Sequence, residues 1–323
     1  MSSLENRRVI LVGRPKGVPG PEFFALDKET APQPGHGEFL VQNQFLSVEP
    51  AMRGWVNDAP NYSPPVPVGD VMRAFAVGKI IKSNNSEFKE GEIVSGLFGW
   101  QRYAVSDGSS VVTRMTNIDQ PQSYALGILG LNGITAYCGL IYQGEPKPNE
   151  TVVVSTAAGS VGSCVGQIAK IKGCRTIGIT GGPTKVQQCL DEFGYDVAID
   201  YKNTKNLGSA VAEACPDGVH VYFDNTCGPI SDAVMENLGM HARVVICGTA
   251  SVPDWIPLPT GPRVHRQLLV NRARMSGLLI FDYKEHYGEA VQKLSQWIDE
   301  GKIEVREHIL DGMEQAPGAI EML

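Results

Sequence analysis

A run of small residues between a strand pattern and a helix pattern is the stretch of this sequence best suited to bind a phosphate. Residues 151–155, rich in valine, are followed by Ala157, Gly159 and Gly162 at the spacing of the dinucleotide fingerprint, with Ala157 in the first glycine position. Small side chains there let backbone amides and the positive end of a helix approach a pyrophosphate. The alternative is close packing of the helix on the strand without a ligand. A mononucleotide-type phosphate loop does not fit, because no Lys-Ser or Lys-Thr pair follows the last glycine.

The end of the second predicted strand indicates which dinucleotide is bound. Sites selective for NAD usually place Asp or Glu about 20 residues past the first glycine, where the carboxylate holds the ribose 2′-hydroxyl. The corresponding residues 179–185 read Ile-Thr-Gly-Gly-Pro-Thr-Lys, without a carboxylate. Lys185 would attract a 2′-phosphate, so the sequence predicts NADP(H) over NAD(H). The alternative is that Lys185 is a solvated residue of a first helical turn.

The composition excludes several classes of protein. A length of 323 residues is typical of two domains, and 42% hydrophobic with 20% charged residues describes an ordinary soluble globular chain. The net charge of −7 gives no electrostatic footprint for nucleic acid or for an anionic membrane, and no stretch reaches the length of a membrane-spanning helix. Neither a nucleic acid nor a membrane is therefore expected as a partner.

The cysteines indicate the compartment and the absence of a metal site. They are seven, an odd number, and none forms a Cys-x-x-Cys pair. We therefore expect buried free thiols in a reducing cytoplasm rather than a disulfide framework. Arg7 and Arg8 precede only a short apolar run, so a secretion signal is not expected. Three or more Cys or His with metal-ligand spacing do not occur, so no zinc site is expected.

The elements around the fingerprint divide the chain into two predicted domains. Residues 1–124 alternate short apolar runs with Gly/Pro-rich connections, which is typical of a partly open β-barrel. Residues 125–301 begin with helical segments broken at Gly130 and Gly133 and continue with alternating strands and helices, which predicts a doubly wound parallel sheet of six strands. Residues 302–323 are expected to complete the first domain. The predicted strands of the parallel sheet span 151–155, 175–180, 196–200, 219–224, 242–247 and 274–281, and a further strand pattern covers 303–310.

Five ordered motifs connect these patterns with a known family: Gly-Ile-Thr-Ala-Tyr at 133–137, the fingerprint, Ile-Asp-Tyr-Lys at 199–202, Val-Tyr-Phe-Asp-Asn at 221–225 and Phe-Asp-Tyr at 281–283. The sequence resembles, over essentially its whole length, the zinc-free branch of the medium-chain dehydrogenases/reductases, which includes prostaglandin reductase, leukotriene hydroxydehydrogenase and alkenal double-bond reductases. The resemblance implies an α/β protein with a GroES-like barrel, a Rossmann domain and a cleft between them. It also implies a homodimer that uses NADPH, without zinc, to reduce the C=C bond of α,β-unsaturated ketones or aldehydes by hydride transfer to the β-carbon.

The resemblance also implies site residues. The substrate-binding candidates are Arg53, Tyr62 and Trp255, and Tyr62 is the candidate proton donor. Solvent or a ribose hydroxyl of the cofactor could equally deliver the proton, and Tyr62 could equally be a loop residue that caps apolar surface. Cys247 and Phe281 could equally be core residues at strand ends. The cofactor candidates are Ala157, Gly159, Ser160, Val161 and Gly162 along the pyrophosphate, Thr180, Gly181, Lys185 and Tyr201 towards the adenosine 2′-phosphate, and Asn225, Cys247, Gly248, Phe281 and Thr135 around the ribose and nicotinamide.

Departures from the family pattern bear on the substrate. Glu49-Pro50-Ala51 stands where the family commonly has Asp-Pro-Tyr, and Pro253-Asp254 stands where a Tyr-Asn pair is usual. Residues 68–72 lack the Gly-His-Glu segment of zinc-containing members, so alcohol oxidation at a metal is not expected. Two rival functions stay open. A quinone oxidoreductase would use the same zinc-free scaffold and cofactor, and the missing tyrosines support an NADPH-binding structural or sensor protein without turnover. The family also usually adds a short segment after the position of Leu323.

Overall fold

The chain folds into two compact units, seen in a computed structural model that describes residues 4–58, 62–252 and 257–322. Unit 1 is Met1–Gly130 together with Glu307–Leu323, and unit 2 is Leu131–Arg306. Unit 2 is therefore continuous in sequence, whereas unit 1 is assembled from segments on both sides of it.

Strands occur in both units. In chain order they are β1 (Glu5–Leu11), β2 (Phe24–Thr30), β3 (Phe39–Leu46), β4 (Ala76–Ser83), β5 (Ile93–Gly96), β6 (Tyr103–Ser106), β7 (Val111–Arg114), β8 (Thr151–Ser155), β9 (Arg175–Thr180), β10 (Val197–Asp200), β11 (Val219–Asp224), β12 (Leu238–Ile246) and β13 (Arg274–Gly277).

Helices lie mainly in unit 2. The α-helices are α1 (Ala51–Trp55), α2 (Leu131–Cys138), α3 (Ser160–Ile171), α4 (Pro183–Asp191), α5 (Leu207–Ala214), α6 (Gly228–Met235), α7 (His265–Asn271), α8 (Tyr287–Asp299) and α9 (Ala316–Ala319). A π-helical turn, Gly139–Gly144, continues α2, and short 3₁₀ helices cover Pro21–Phe23, Gln122–Leu126, Ile280–His286, Met313–Gln315 and Ile320–Met322.

Unit 1 is built on antiparallel strands. Five of them form one sheet in the order β6-β3-β4-β5-β7, and β1 pairs with β2 in a separate ribbon. Two isolated bridges, Arg8 to Gln101 and Ile10 to Val71, tie this ribbon to the segments next to the larger sheet. Phe39 and other apolar residues of β3, β4 and β5 are buried on one face of that sheet. Short antiparallel strands packed on an apolar cluster agree with the predicted β-rich first domain.

Unit 2 contains the predicted doubly wound sheet. Its six strands are parallel and run in the order β10-β9-β8-β11-β12-β13. All five residues of β8 are buried, as expected for a central strand covered by helices on both faces. The strand order reverses between β8 and β11, and ligands of such sheets bind at the carboxyl ends of the strands at that point.

Some sequence predictions of elements are wrong. Residues 303–310 form no strand, because the Glu304 amide is satisfied by the Gln167 side chain and Arg306 pairs with Glu192. Gly133 does not break a helix but is buried inside α2. The last strand of the sheet ends at Gly277 instead of residue 281, where the 3₁₀ helix already runs.

The sequence also gave no indication of β2 and α1. β2 is exposed along most of its length, so it carries little apolar periodicity. Backbone pairing with β1 along all seven residues holds it, and Arg8 adds ion pairs with Asp27 at 2.6 Å and Glu29 at 2.7 Å. α1 is a single short turn of helix that follows Pro50, too brief for a periodic pattern.

A separate observation concerns membranes. In the part of the chain that the structure describes, every helix is too short or too polar to cross a bilayer.

Candidate functional site

The turn after β8 leaves helix amides available to an anion. Gly159 is the N-cap of α3, and no side chain among the residues that the structure describes caps this helix. The first-turn amides of Ser160, Val161 and Gly162 have no acceptor within the helix, because an α-helix leaves its first N–H groups unpaired. A Cβ at Gly162 would collide with the carbonyl oxygen of Thr156, so only glycine lets the helix start this close to the strand end. The geometry fits a pyrophosphate at these amides.

Ala157 contributes to this turn by packing. Its side chain is completely buried, and a Cβ at Gly178 of the neighbouring β9 would lie 2.8 Å from the Ala157 Cβ. The Ala157 N–H donates to the Ile179 carbonyl oxygen at 3.1 Å, so this amide is not available to a phosphate. Thr156, just before it, has a φ of +54°, an uncommon value for a β-branched residue.

At the carboxyl ends of β9 and β10, Tyr201 lies against Gly181, and both are residues predicted for the 2′-phosphate end. A Cβ at Gly181 would lie 2.9 Å from the Tyr201 ring and 2.9 Å from Cε of Lys202, so both side chains lie against this glycine. The Tyr201 N–H donates to the Thr180 carbonyl oxygen at 3.1 Å, which fixes the start of the turn. Lys185 is exposed in the first turn of α4. Two lysines and a phenol are groups that suit a phosphate.

A carboxylate also lies at this corner. Asp200 accepts hydrogen bonds from the Gly182 N–H at 2.9 Å, the Lys202 N–H at 3.0 Å and the Asn203 amide at 2.6 Å. These bonds, that of Gly182 above all, lower the pKa of Asp200. Its charge therefore stabilises the turn at Gly182, whose φ is +90°. The sequence reasoning missed Asp200 and Lys202, although both belong to the Ile-Asp-Tyr-Lys motif.

The end of β11 holds Asn225 in one orientation. Asn225 donates its backbone N–H to Ser155 Oγ and its side-chain amide to the Ser155 carbonyl oxygen, both at 2.8 Å. The Ser155 hydroxyl donates in turn to Asp224 at 3.2 Å. The Cys247 and Gly248 amides donate to the Asp224 carbonyl oxygen at 2.8 and 3.1 Å. The predicted cofactor residues Asn225, Cys247 and Gly248 therefore lie together at the carboxyl ends of β11 and β12.

The buried carboxylate of Asp224 accepts hydrogen bonds from the residues around the end of β11. Its side chain is fully buried, and its Oδ1 accepts from the Tyr222 hydroxyl at 2.9 Å and from the Thr226 and Cys227 amides at 2.9 and 3.0 Å. The other oxygen, Oδ2, has no hydrogen-bond partner among the described residues. Burial, followed by the charge of Asp224, raises the pKa of the Cys247 thiol to about 12. Cys247 is therefore a neutral thiol at the site.

Thr135 and Phe281 stand on other elements of unit 2. The Thr135 hydroxyl donates to the Leu131 carbonyl oxygen at 2.7 Å within α2, which leaves it only as an acceptor for another group. Phe281 is 37% exposed in the 3₁₀ helix after β13, so it is not a plain core residue.

Unit 1 carries the candidate substrate residues that the structure describes. Arg53 lies on α1, and its Nε is buried without a hydrogen-bond partner among the described residues. Tyr62 is 54% exposed on the segment after α1. Trp255, the third candidate, lies outside the described residues. Glu49, which precedes α1, accepts a hydrogen bond from the Ser47 hydroxyl at 2.5 Å, and burial raises its pKa to about 7.

Side chains suited to metal binding are not grouped in the described ranges. Residues 4–58, 62–252 and 257–322 contain no cluster of three or more His, Cys, Asp or Glu that could hold a metal ion.

Two families match this chain. Residues 7–113 match the N-terminal domain of oxidoreductase, and residues 160–296 match the family described as zinc-binding dehydrogenase. The first match covers most of unit 1, and the second covers the fingerprint helix and the strands that follow it.

The chain is similar to known reductases along its length. It is 40% identical over 317 residues to the NADPH-dependent curcumin reductase of Escherichia coli (strain K12), covering 97% of this chain and 91% of that protein. It is 33% identical over 324 residues to the NADP(+)-dependent 2-alkenal reductase of Nicotiana tabacum, covering 98% and 93%. The crystal structure of CurA from Vibrio vulnificus in complex with NADPH superposes with a TM-score of 0.89 at 42% identity, covering 97% of this chain and 94% of that one. The chain therefore belongs to the medium-chain dehydrogenase/reductase family, in the zinc-free branch that contains the prostaglandin and alkenal double-bond reductases.

Proposed function

We propose that this protein is an NADPH-dependent reductase of the C=C bond of α,β-unsaturated ketones and aldehydes. The observation that carries the proposal is the packing of Tyr201 and Lys202 against Gly181, with Lys185 exposed in the first turn of the helix that follows, in a chain similar to NADPH-dependent reductases. Relatives named for curcumin and 2-alkenals support an enone or alkenal as the substrate class. Bound NADPH supplies the hydride that is added to the β-carbon.

Unit 2 is proposed as the NADP-binding domain. The amides of Ser160, Val161 and Gly162 would bind the pyrophosphate, and the turn between β8 and α3 lets the helix reach it. Thr180, Gly181, Lys185, Tyr201 and Lys202 would hold the adenosine 2′-phosphate end. Thr135, Asn225, Cys247, Gly248 and Phe281 would line the ribose and nicotinamide, and Ala157 would support the turn from inside.

Unit 1 is proposed as the catalytic domain, with Arg53, Tyr62 and Trp255 facing the substrate. Reduction of a conjugated carbonyl develops negative charge on the carbonyl oxygen, and a hydrogen-bond donor there lowers the barrier. The Tyr62 phenol is proposed as that donor and as the source of the proton. Its exposure on the segment after α1 supports this role, because a substrate can reach it.

The test is NADPH consumption on a panel of enones, 2-alkenals and quinones, with product analysis by mass spectrometry and NMR. We expect the enones and alkenals to be converted to saturated ketones and aldehydes with the C=O bond intact. Consumption with quinones alone would replace the proposal with a quinone oxidoreductase. Tight NADPH binding without oxidation on any member of the panel would indicate a structural or sensor protein.

We also propose that the protein is a homodimer in the cytoplasm. β13 is an edge strand, and the apolar residues Met275 of β13 and Leu269 and Val270 of α7 are exposed. Seven free thiols favour a reducing compartment. Light scattering after size exclusion should give twice the mass of the chain, and Met275→Lys together with Leu269→Glu should give a monomer. A wild-type monomer would contradict the proposal.

A further inference from the structure

Arg73 is the charged residue that holds the segment carrying Tyr62. We propose that Arg73 positions the Tyr62 phenol and keeps a positive charge beside it, so that Tyr62 can give up its proton during turnover. This inference rests on the proposed function, because it concerns the proton donor of that reaction. Arg73 is a positioning residue, since it acts through Tyr62.

The backbone around Arg73 is held by buried neighbours and by hydrogen bonds. Its neighbours Met72 and Ala74 are fully buried. The Met72 N–H donates to the Val9 carbonyl oxygen, and Met72 accepts from the Trp100 N–H, both at 2.9 Å. The Gly99 N–H donates to the Ala74 carbonyl oxygen at 2.9 Å. The backbone on both sides of Arg73 is therefore fixed by neighbouring segments.

The side chain reaches the residues that directly follow Tyr62. One guanidinium nitrogen of Arg73 donates to the Ser63 hydroxyl at 3.0 Å and to the Pro64 carbonyl oxygen at 2.7 Å. Two hydrogen bonds from one charged group to adjacent residues restrict how the segment can move. The residue directly after Tyr62 is thus held by Arg73, whose own backbone is fixed.

The Trp55 ring packs against the Arg73 guanidinium. The Arg73 guanidinium lies over the Trp55 ring, 5.6 Å from the ring centre, and Trp55 is 3% exposed. Stacking on a buried indole limits the rotamers that Arg73 can adopt. The Val66 N–H donates to the Trp55 carbonyl oxygen at 2.8 Å, which pins the far end of the same segment. The segment 62–66 is therefore held at both ends by Arg73 and Trp55.

The Arg73 guanidinium interacts electrostatically with Tyr62. Burial lowers the pKa of Arg73, and the charge of an ionised Tyr62 opposes this shift. Among residues 4–58, 62–252 and 257–322, Arg73 forms no ion pair with a carboxylate. A cation beside a phenol favours the ionised form of the phenol.

This arrangement suits the proton transfer. When the hydride is added to the β-carbon of an enone, the electron pair of the C=C bond moves towards the carbonyl oxygen. The Tyr62 O–H bond breaks as an O–H bond forms on that oxygen, and the enol returns to the ketone. The positive charge of Arg73 stabilises the phenolate that is left, and a proton from water restores the phenol.

The experiment combines Arg73→Met, Arg73→Lys and Tyr62→Phe with the Arg73→Met/Tyr62→Phe double variant. With an aryl enone as substrate, Arg73→Met should lower kcat about tenfold or more, within the range of lost acid catalysis, with KM nearly unchanged. Arg73→Lys should recover most of the loss, because it keeps the charge. In the Tyr62→Phe background, Arg73→Met should change kcat less than about twofold. Equal losses in both backgrounds would overturn the proposal.

A measurement without turnover keeps this test separate from the proposed function. Subtracting the tyrosinate absorbance titration of Tyr62→Phe from that of the wild type isolates Tyr62 from the other tyrosines. Arg73→Met should move this difference titration to higher pH by about one unit or more, as expected when an adjacent cation is removed. An unchanged titration would overturn the role of Arg73 even if enones are reduced. A shifted titration in a protein that reduces no enone would instead overturn the proposed function alone.

The matched control is Arg102→Met, which removes a second arginine of unit 1 that lies over an aromatic ring, Tyr103, at 5.5 Å. It should leave both kcat and the Tyr62 titration unchanged. Thermal unfolding of every variant checks that the fold is retained.

Discussion

Ser155 and Asn225 are joined by two hydrogen bonds of 2.8 Å, one from the Asn225 amide N–H to Ser155 Oγ and one from the Asn225 side chain to the Ser155 carbonyl oxygen. The pair connects the ends of β8 and β11, where the strand order of the parallel sheet reverses. A ribose or nicotinamide at this edge would meet an amide already held in place.

Removing the Ser155 hydroxyl should weaken the link between the ends of β8 and β11. In Ser155→Ala the Asn225 N–H loses its acceptor and buried Asp224 loses a donor, which should cost about 1–3 kcal/mol in the free energy of unfolding. Urea denaturation measures this loss, and calorimetric titration should show weaker NADPH binding. Ser209→Ala, at an exposed position of α5, is the control and should change neither quantity. If Ser155→Ala had the same free energy of unfolding and the same NADPH affinity as the wild type, the proposed role of the Ser155 hydroxyl would be wrong.

The lysines near Gly181 should determine cofactor selectivity. Lys185→Ala and Lys202→Ala should each weaken NADPH binding by about 1 kcal/mol or more, because each removes a charge that suits the 2′-phosphate, while NADH binding stays nearly constant. Calorimetric titration with both cofactors separates the two effects. Lys205→Ala removes a nearby exposed lysine and should leave both affinities as they are. Parallel losses for NADPH and NADH would show that these lysines do not recognise the phosphate.

Stability should depend on pH through Glu49. Burial raises its pKa from 4.5 to about 7, with the Ser47 hydrogen bond opposing the shift. Between these two values the folded protein binds more protons than the unfolded chain, so the free energy of unfolding falls as the pH rises through this window. Glu49→Gln should abolish this dependence of the free energy of unfolding on pH. Relative to the wild type, the variant should therefore gain stability as the pH rises towards and above 7. Glu87→Gln, at an exposed position of unit 1, should keep it. Urea denaturation as a function of pH measures these slopes, and equal slopes in wild type and Glu49→Gln would refute the role.

The cysteines should be unreactive in the native protein. Burial raises the pKa of every one of them, for example to about 11 for Cys174 and Cys215 and to about 12 for Cys138. Since the thiolate is the reactive form, a thiol reagent should modify all seven only on unfolding. Labelling with and without urea, followed by mass spectrometry, tests this. Rapid native labelling that disappears in Cys227→Ser, where the residue is only half-buried, would identify an exception.

The sequence predicted the parallel sheet well because its strands carry a local signal. β8 is buried throughout and β9 is buried after its first residue, and the fingerprint between them fixes where a helix begins. Lys185 was predicted from its position after the second strand of the sheet, whereas Tyr201 was predicted from the family resemblance. The structure brings Tyr201 to Gly181.

Contacts between distant segments could not be read from the sequence. Arg73 lies in an irregular segment, and its link to Ser63 and Pro64 depends on how that segment is fixed against β1. Asp224 is one acidic residue at a strand end, and only the structure shows that its carboxylate accepts the amides of Thr226 and Cys227. β2 was missed because it is mostly exposed and is held by backbone pairing with β1, which leaves no apolar periodicity in its sequence.

The discontinuity of unit 1 has a consequence for the order of folding during synthesis. Unit 2 is one continuous segment, Leu131–Arg306, so it can fold as soon as that segment has left the ribosome. Unit 1 must wait for residues beyond Arg306. Ile320 is fully buried there, and the Ser123 hydroxyl donates to the Glu307 carboxylate at 2.7 Å. The segment that is translated first is therefore completed last.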